Sequence, residues 1–226
     1  MTEMECLEGR NVVTRSPHRR VGYVNCRWLQ SKNVQYESLL ERDCARLLLL
    51  CPNLIEITSQ PFKIPLGDGA YYTPDFLLRF PGSHSVVVEV KHTSFLKKDF
   101  PRLLKAKVVL EEMGLDYLVL TEREIQHADR SGRAGSILRY GRGQGLSESV
   151  DDLLPQLATV ALSMGLEEWS RMLGTSETRV LTLVAMRQLA HVDGRLVGPI
   201  ATRRFFLERP YAANQTRAWI GAADLW

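Results

Sequence analysis

The sequence predicts an α/β protein in which a mixed sheet is flanked by helices and a smaller helical domain follows. Three observations carry this. The stretch Tyr36–Cys51 repeats its apolar residues at helical spacing. Between Leu54 and His92, short apolar runs are punctuated by Gly and Pro turns, as strands are. A charged helical stretch and the apolar run YLVLT (Tyr117–Thr121) come next, so helices and strands alternate. A chain of 226 residues holds one ordinary domain and a smaller one.

Composition excludes several classes. With 45% hydrophobic and 24% charged residues the chain is neither disordered nor fibrous. No apolar run reaches the length of a membrane span. The first ten residues, MTEMECLEGR, lack the apolar core of a signal peptide, so a cytoplasmic protein without membrane contact is expected. Four cysteines (Cys6, Cys26, Cys44, Cys51) form no CxxC pair, which argues against a zinc site or disulfide framework. The net charge of +3 is too small to identify a nucleic-acid partner by itself.

Residues 1–34 read as an irregular basic arm containing Arg15-Ser16-Pro17-His18-Arg19-Arg20, then Tyr23 and Trp28. Such an arm is either simply solvated or a contact for phosphates. Residues 35–127 form the main domain. Its first helix, Tyr36–Cys51, carries Tyr36, Leu40, Cys44, Leu47, Leu48 and Cys51 on one face, with Glu37 and Glu41 on the border. Pro52-Asn53 ends it. LIEITSQPFKIPL (Leu54–Leu66) is a strand kinked or edged at Gln60-Pro61, because proline cannot donate to a ladder. Gly67-Asp68-Gly69 is a hairpin turn. TPDFLLRF and HSVVVEVKH then make two strands around Pro81-Gly82-Ser83. A helix over about 96–113 bears Lys97, Lys98, Arg102, Lys105 and Lys107 and is capped by Gly114. The expected order is helix, three strands, helix, strand.

Residues 128–147, with GRGQG (Gly141–Gly145), read as a flexible linker containing at most a short helical piece around Ile137–Tyr140. Residues 148–226 read as three helices (Val150–Met164, Leu166–Leu173 and Glu177–His191, with Ser176 as N-cap) followed by a hairpin in RLVGPIATRRFFL. Helices followed by a hairpin have the outline of a winged helix. A tail with Tyr211, Trp219 and Trp226 closes the chain and either packs back or docks on a partner.

The chemistry gathers at the two central strands. Asp75 opens the first, and Glu89 and Lys91 close the second. In an antiparallel pair the start of one strand lies beside the end of the next. Glu89 and Lys91 are two apart and share a face. Buried charge needs a partner, and two carboxylates suit a hard cation such as Mg²⁺ or Mn²⁺. The expected reaction is phosphodiester hydrolysis, with a cation-activated water, Lys91 orienting it or offsetting developing charge, and a helix glutamate completing the shell or holding a second metal. Helical geometry alone slightly favours Glu37 for that role.

An acidic helix, consecutive strands bearing Pro-Asp and Glu-x-Lys, and a basic helix are the parts of the restriction-endonuclease-like PD-(D/E)xK fold. YESLLERD (Tyr36–Asp43), SQPF (Ser59–Phe62), YTPDFLL (Tyr72–Leu78), VEVK (Val88–Lys91) and LVLTEREI (Leu118–Ile125) together resemble the TnsA-type transposon endonucleases of Tn-seven-like elements. The resemblance implies Asp75 and Glu89 as metal ligands, Lys91 as the catalytic lysine and Glu41, not Glu37, as the helix acid. It implies cleavage of the 5′, non-transferred strands of double-stranded DNA at transposon ends. It also implies a DDE-type transposase as partner for the 3′ strands, an AAA+ ATPase regulator, and association with the bacterial nucleoid when assembled. Two other readings fit the same residues: a stand-alone restriction-like or junction-resolving nuclease, and an inactive DNA-binding adaptor. Four chemically competent residues argue against the adaptor.

Overall fold

The computed structural model describes residues 7–8, 20–142, 151–157, 163–192, 195–199 and 212–222. The basic run Arg15–Arg19, linker residues 143–147, the hairpin segment 200–207 and Trp226 lie outside them.

The N-terminal part is more ordered than an arm. β1 (Leu7–Glu8) joins a sheet formed later, and β2 (Gly22–Val24) and β3 (Val34–Tyr36) form an antiparallel hairpin. Val24, Cys26 and Val34 are buried, and the Trp28 indole donates to the Ala185 carbonyl at 3.1 Å. Strands of three residues carry too little alternation to be read from sequence.

α1 spans Leu39–Leu49, shorter than the predicted Tyr36–Cys51. Ser38 sets the start: its backbone is extended and its hydroxyl accepts from the Glu41 N–H at 3.1 Å. Tyr36 therefore belongs to β3, although it still packs against the core. The helix buries Cys44, Ala45, Leu47, Leu48 and Leu49.

The proline kink divides the next run more deeply than expected. β4 (Glu56–Ser59) and β5 (Phe62–Gly67) enter different sheets, with Gln60 at φ +42° between them. β6 (Ala70–Tyr72) returns from the Gly67-Asp68-Gly69 turn, where all three residues have positive φ. Thr73-Pro74 then breaks the chain before β7 (Phe76–Arg79) and β8 (Ser85–Val90). Five strands thus separate α1 from α2 (Thr93–Glu112), instead of three. Gly114, at φ +74°, closes α2 as predicted: its N–H reaches Glu111 O and the Leu115 N–H reaches Leu110 O. β9 (Asp116–Leu120) completes a mixed sheet of order β4-β7-β8-β9, in which only β8 and β9 run parallel. β1, β5 and β6 make a smaller antiparallel sheet.

Strand alternation sends Val86, Val88 and Val90 into the cluster that contains the α1 leucines. Val87 goes to the other face, with Leu103, Ala106 and Leu110 of α2. The mixed sheet is therefore flanked by a helix on each face.

α3 (Glu122–Ile125) is followed by the largest departure from expectation. The segment read as a flexible linker contains α4 (Arg130–Arg142), which buries Arg130, Ser131, Ala134, Ile137, Leu138 and Gly141. Its high Gly and Arg content hid a helical face, because two glycines serve packing. A Cβ at Gly135 would press on the Arg46 guanidinium, and one at Gly141 would collide with the Trp28 indole.

Behind α4 lie α5 (Leu154–Leu157), β10 (Ser163–Met164), α6 (Leu166–Met172), α7 (Glu177–Ala185), β11 (Ala190–Val192), β12 (Arg195–Val197) and α8 (Ala212–Ala222). Ser176 caps α7 as expected. Met164 is in a strand, and α7 stops six residues before His191, where Arg187 at φ +61° turns the chain. The strands form a sheet of order β10-β12-β11. Trp219 of the tail is fully buried, so this aromatic packs back. Among the described residues no helix is long and apolar enough to cross a membrane.

Candidate active site

Phe76 stands opposite Val88 in the β7–β8 ladder, so Asp75, one residue earlier, stands across from Glu89. Asp75 is tied through both backbone and side chain. Its carbonyl accepts from the Gln60 N–H at 2.8 Å, and Oδ2 accepts from the Val90 N–H at 2.7 Å. Glu89 is 5% exposed. Lys91 lies just past β8, and its N–H carries the parallel ladder on to Leu120 O at 2.9 Å. Its Nζ sits 3.2 Å from Glu89 Oε1 and 3.4 Å from Asp99 Oδ2, on α2.

Glu41 occupies the first turn of α1, where its carboxylate accepts from the Glu37 N–H at 2.7 Å. Glu37 precedes the N-cap and is not part of the helix, so the helical argument that favoured it does not apply. The structure gathers Glu41, Asp75, Glu89 and Lys91 into one electrostatic group.

Burial raises the Asp75 pKa well above the ordinary carboxylate value, and the charges of Glu89 and Glu41 push it the same way. Glu41 is raised too, by burial first and by the neighbouring Glu37 and Glu89, against its capping hydrogen bonds. Burial works against the Lys91 charge, but Glu89, Asp75 and Asp99 outweigh it and the pKa rises. Cys44 is fully buried; burial and the charges of Asp75, Glu41 and Asp43 raise its thiol pKa well above the ordinary range. This thiol is an inert wall behind the acids.

Three residues of the site were not anticipated. Tyr72 donates to Glu89 Oε2 at 2.7 Å and meets the Tyr117 hydroxyl at 3.1 Å. Asp99 shares Lys91. As the one acid among the lysines at the start of α2, Asp99 had a visible signal; the tyrosines look like ordinary strand residues.

The donors fit a hard cation. Asp75 and Glu89 are neighbouring carboxylates whose mutual repulsion, with that of Glu41, a cation would relieve. Among the described residues no three His, Cys, Asp or Glu side chains close into a ready-made cage. Mg²⁺ does not require one, because it binds through one or two carboxylates and keeps several waters. A cavity of about 640 Å³, lined in part by Arg133, Ile137, Leu181 and His191, lies apart from all four residues.

Residues 51–122 match the family model described as TnsA-like endonuclease N terminal. The matched span contains Asp75, Glu89 and Lys91 and begins just after α1, so Glu41 lies outside it. No curated protein matches the chain. Over that span the chain is similar to TnsA-like endonucleases, and the resemblance read from its motifs holds there.

Proposed function

We propose that this TnsA-type domain makes the chain a metal-dependent DNA endonuclease, the subunit of a heteromeric transposase that cuts the 5′, non-transferred strands at transposon ends. The observation that carries the reading is the cross-strand pair Asp75–Glu89 with Lys91 held beside it, inside the matched span. Asp75 and Glu89 would hold Mg²⁺ or Mn²⁺, with Glu41 completing the shell. Bound there, the cation supplies Lewis acidity, lowering the pKa of a bound water and neutralising charge on the scissile phosphate.

The chain's own groups do the rest. Glu89 and Asp99 keep Lys91 protonated and restrain its Nζ, so that it orients the attacking water or stabilises the developing negative charge. The Val90 N–H fixes one oxygen of Asp75 and leaves the other for a ligand. Hydrolysis of the phosphodiester leaves a 3′-hydroxyl and a 5′-phosphate. Basic residues early in α2, which follows Lys91 in the chain, would border the DNA backbone.

The C-terminal half fits a winged-helix reading: α6 and α7 form a helix pair, and β11 and β12 a hairpin that pairs with β10. A DDE-type transposase for the 3′ strands and an AAA+ ATPase regulator remain the proposed protein partners.

The helix acid is tested by alanine at each candidate. Glu41→Ala should reduce nicking by about 10–100-fold, the loss expected when a group that organises a metal site is removed, while Glu37→Ala should retain most of it. Full nicking by Glu41→Ala would remove this residue from the mechanism.

A further inference from the structure

We propose that Tyr72 is a positioning residue for Glu89, fixing that carboxylate so that Oε2 is committed to the tyrosine and Oε1 alone is offered toward Lys91 and a cation. This rests on the metal-site reading given above.

The arrangement is built from four separate elements. Tyr72 ends β6, which belongs to the smaller sheet, yet its hydroxyl crosses to Glu89 of β8 at 2.7 Å. It is 2% exposed, so water does not compete for the bond. Tyr117 of β9 meets the same hydroxyl at 3.1 Å, with the rings edge to face at 6.4 Å. Arg102 of α2 lies 5.6 Å over the Tyr72 ring and donates to the Tyr71 carbonyl at 3.1 Å, anchoring both the ring and its strand. The two Glu89 oxygens consequently have different partners: Oε2 has the hydroxyl and Oε1 has the lysine, at 3.2 Å.

A carboxylate free to rotate would present either oxygen or both. One locked by a buried donor presents a single oxygen in a fixed direction, and outer-shell donors of this kind orient metal ligands. Tyr72 also packs with Ile64, Val87 and Leu103, so a purely structural role would explain its burial. It would not explain a hydroxyl aimed at the one buried acid of β8.

Because Tyr72→Phe removes a buried hydrogen bond under either role, a stability change does not discriminate. Metal affinity does. Mn²⁺ is titrated calorimetrically into the full chain and into Tyr72→Phe, Tyr117→Phe and Asp75→Ala. Tyr72→Phe should weaken Mn²⁺ binding by about 10–100-fold, with nicking largely restored at high Mn²⁺. Tyr117→Phe, acting one bond further out, should weaken it less. An unchanged Mn²⁺ affinity in Tyr72→Phe, with Asp75→Ala losing binding, would overturn the inference and leave the metal site standing. Unchanged binding in Asp75→Ala would overturn the metal-site reading and this inference with it. If Tyr72→Phe does not fold, Tyr117→Phe decides: reduced affinity supports the relay, and wild-type affinity contradicts it.

Discussion

Asp75 is held in an environment that disfavours its own charge. Burial, Glu89 and Glu41 all raise its pKa, while the Val90 N–H and Lys91 only partly oppose them. The consequence for stability has a definite sign. With a folded pKa above the unfolded value of about 3.8, stability is fully present below that pH. It is lost as the pH rises through the folded value. Asp75→Asn keeps an oxygen for the Val90 N–H and removes the charge. In EDTA near neutral pH this variant should melt higher than wild type, by about 2–4 °C for each kcal/mol relieved, and it should not nick DNA. Thermal melts with and without divalent cation check this; a lower melting temperature in EDTA would contradict the electrostatic account. Asp75, Glu89 and Lys91 were legible because charged residues interrupt apolar strands at positions that an antiparallel ladder brings together. Glu41 was less legible, since periodicity ran the helix through Ser38 and slightly favoured Glu37 over it. One capping hydroxyl separates them.

Individual elements were legible where their pattern was long. α1, β8, β9 and α2 emerged close to their observed positions; β2 and β3 were too short, and α4 was disguised by composition. α4 makes its own prediction. Alanine for glycine in a helix interior ordinarily stabilises by roughly 1 kcal/mol. At Gly141 the added methyl would meet Trp28, so Gly141→Ala should instead destabilise, by about 1–3 kcal/mol as overpacking does. Denaturant unfolding gives the sign directly, and a stabilised variant would mean the indole moves aside freely. β11 supplies a second test. Burial, and next the Arg133 charge, lower the His191 pKa from 6.5 to about 4. A depressed histidine contributes stability that is full above the unfolded value and is lost as pH falls through 6.5 toward 4. His191→Gln should flatten that limb of the stability profile, which urea melts between pH 7 and pH 4 would reveal.

At the scale of the whole molecule, a single apolar cluster runs from Val24 and α1 through the mixed sheet to Leu183 of α7 and Trp219 of α8. Arg187 reinforces it, donating to the carbonyls of Leu54 and, at 3.4 Å, Leu29. The site residues therefore rest on a scaffold to which the N-terminal hairpin and the C-terminal helices both contribute. Sequence reading divided the chain at residues 128–147 because Gly-rich stretches usually mark linkers; long-range packing of Trp28 and Arg187 leaves no local signature. The proposed chemistry is tested most directly by combining the chain with the proposed DDE-type transposase on a transposon-end duplex in Mg²⁺, each strand separately labelled. The account expects cuts on the 5′ strand that disappear with Asp75→Ala or Lys91→Ala while the 3′ cuts by the partner persist. Cleavage of the 3′ strand by this chain, or 5′ cuts surviving both substitutions, would contradict it.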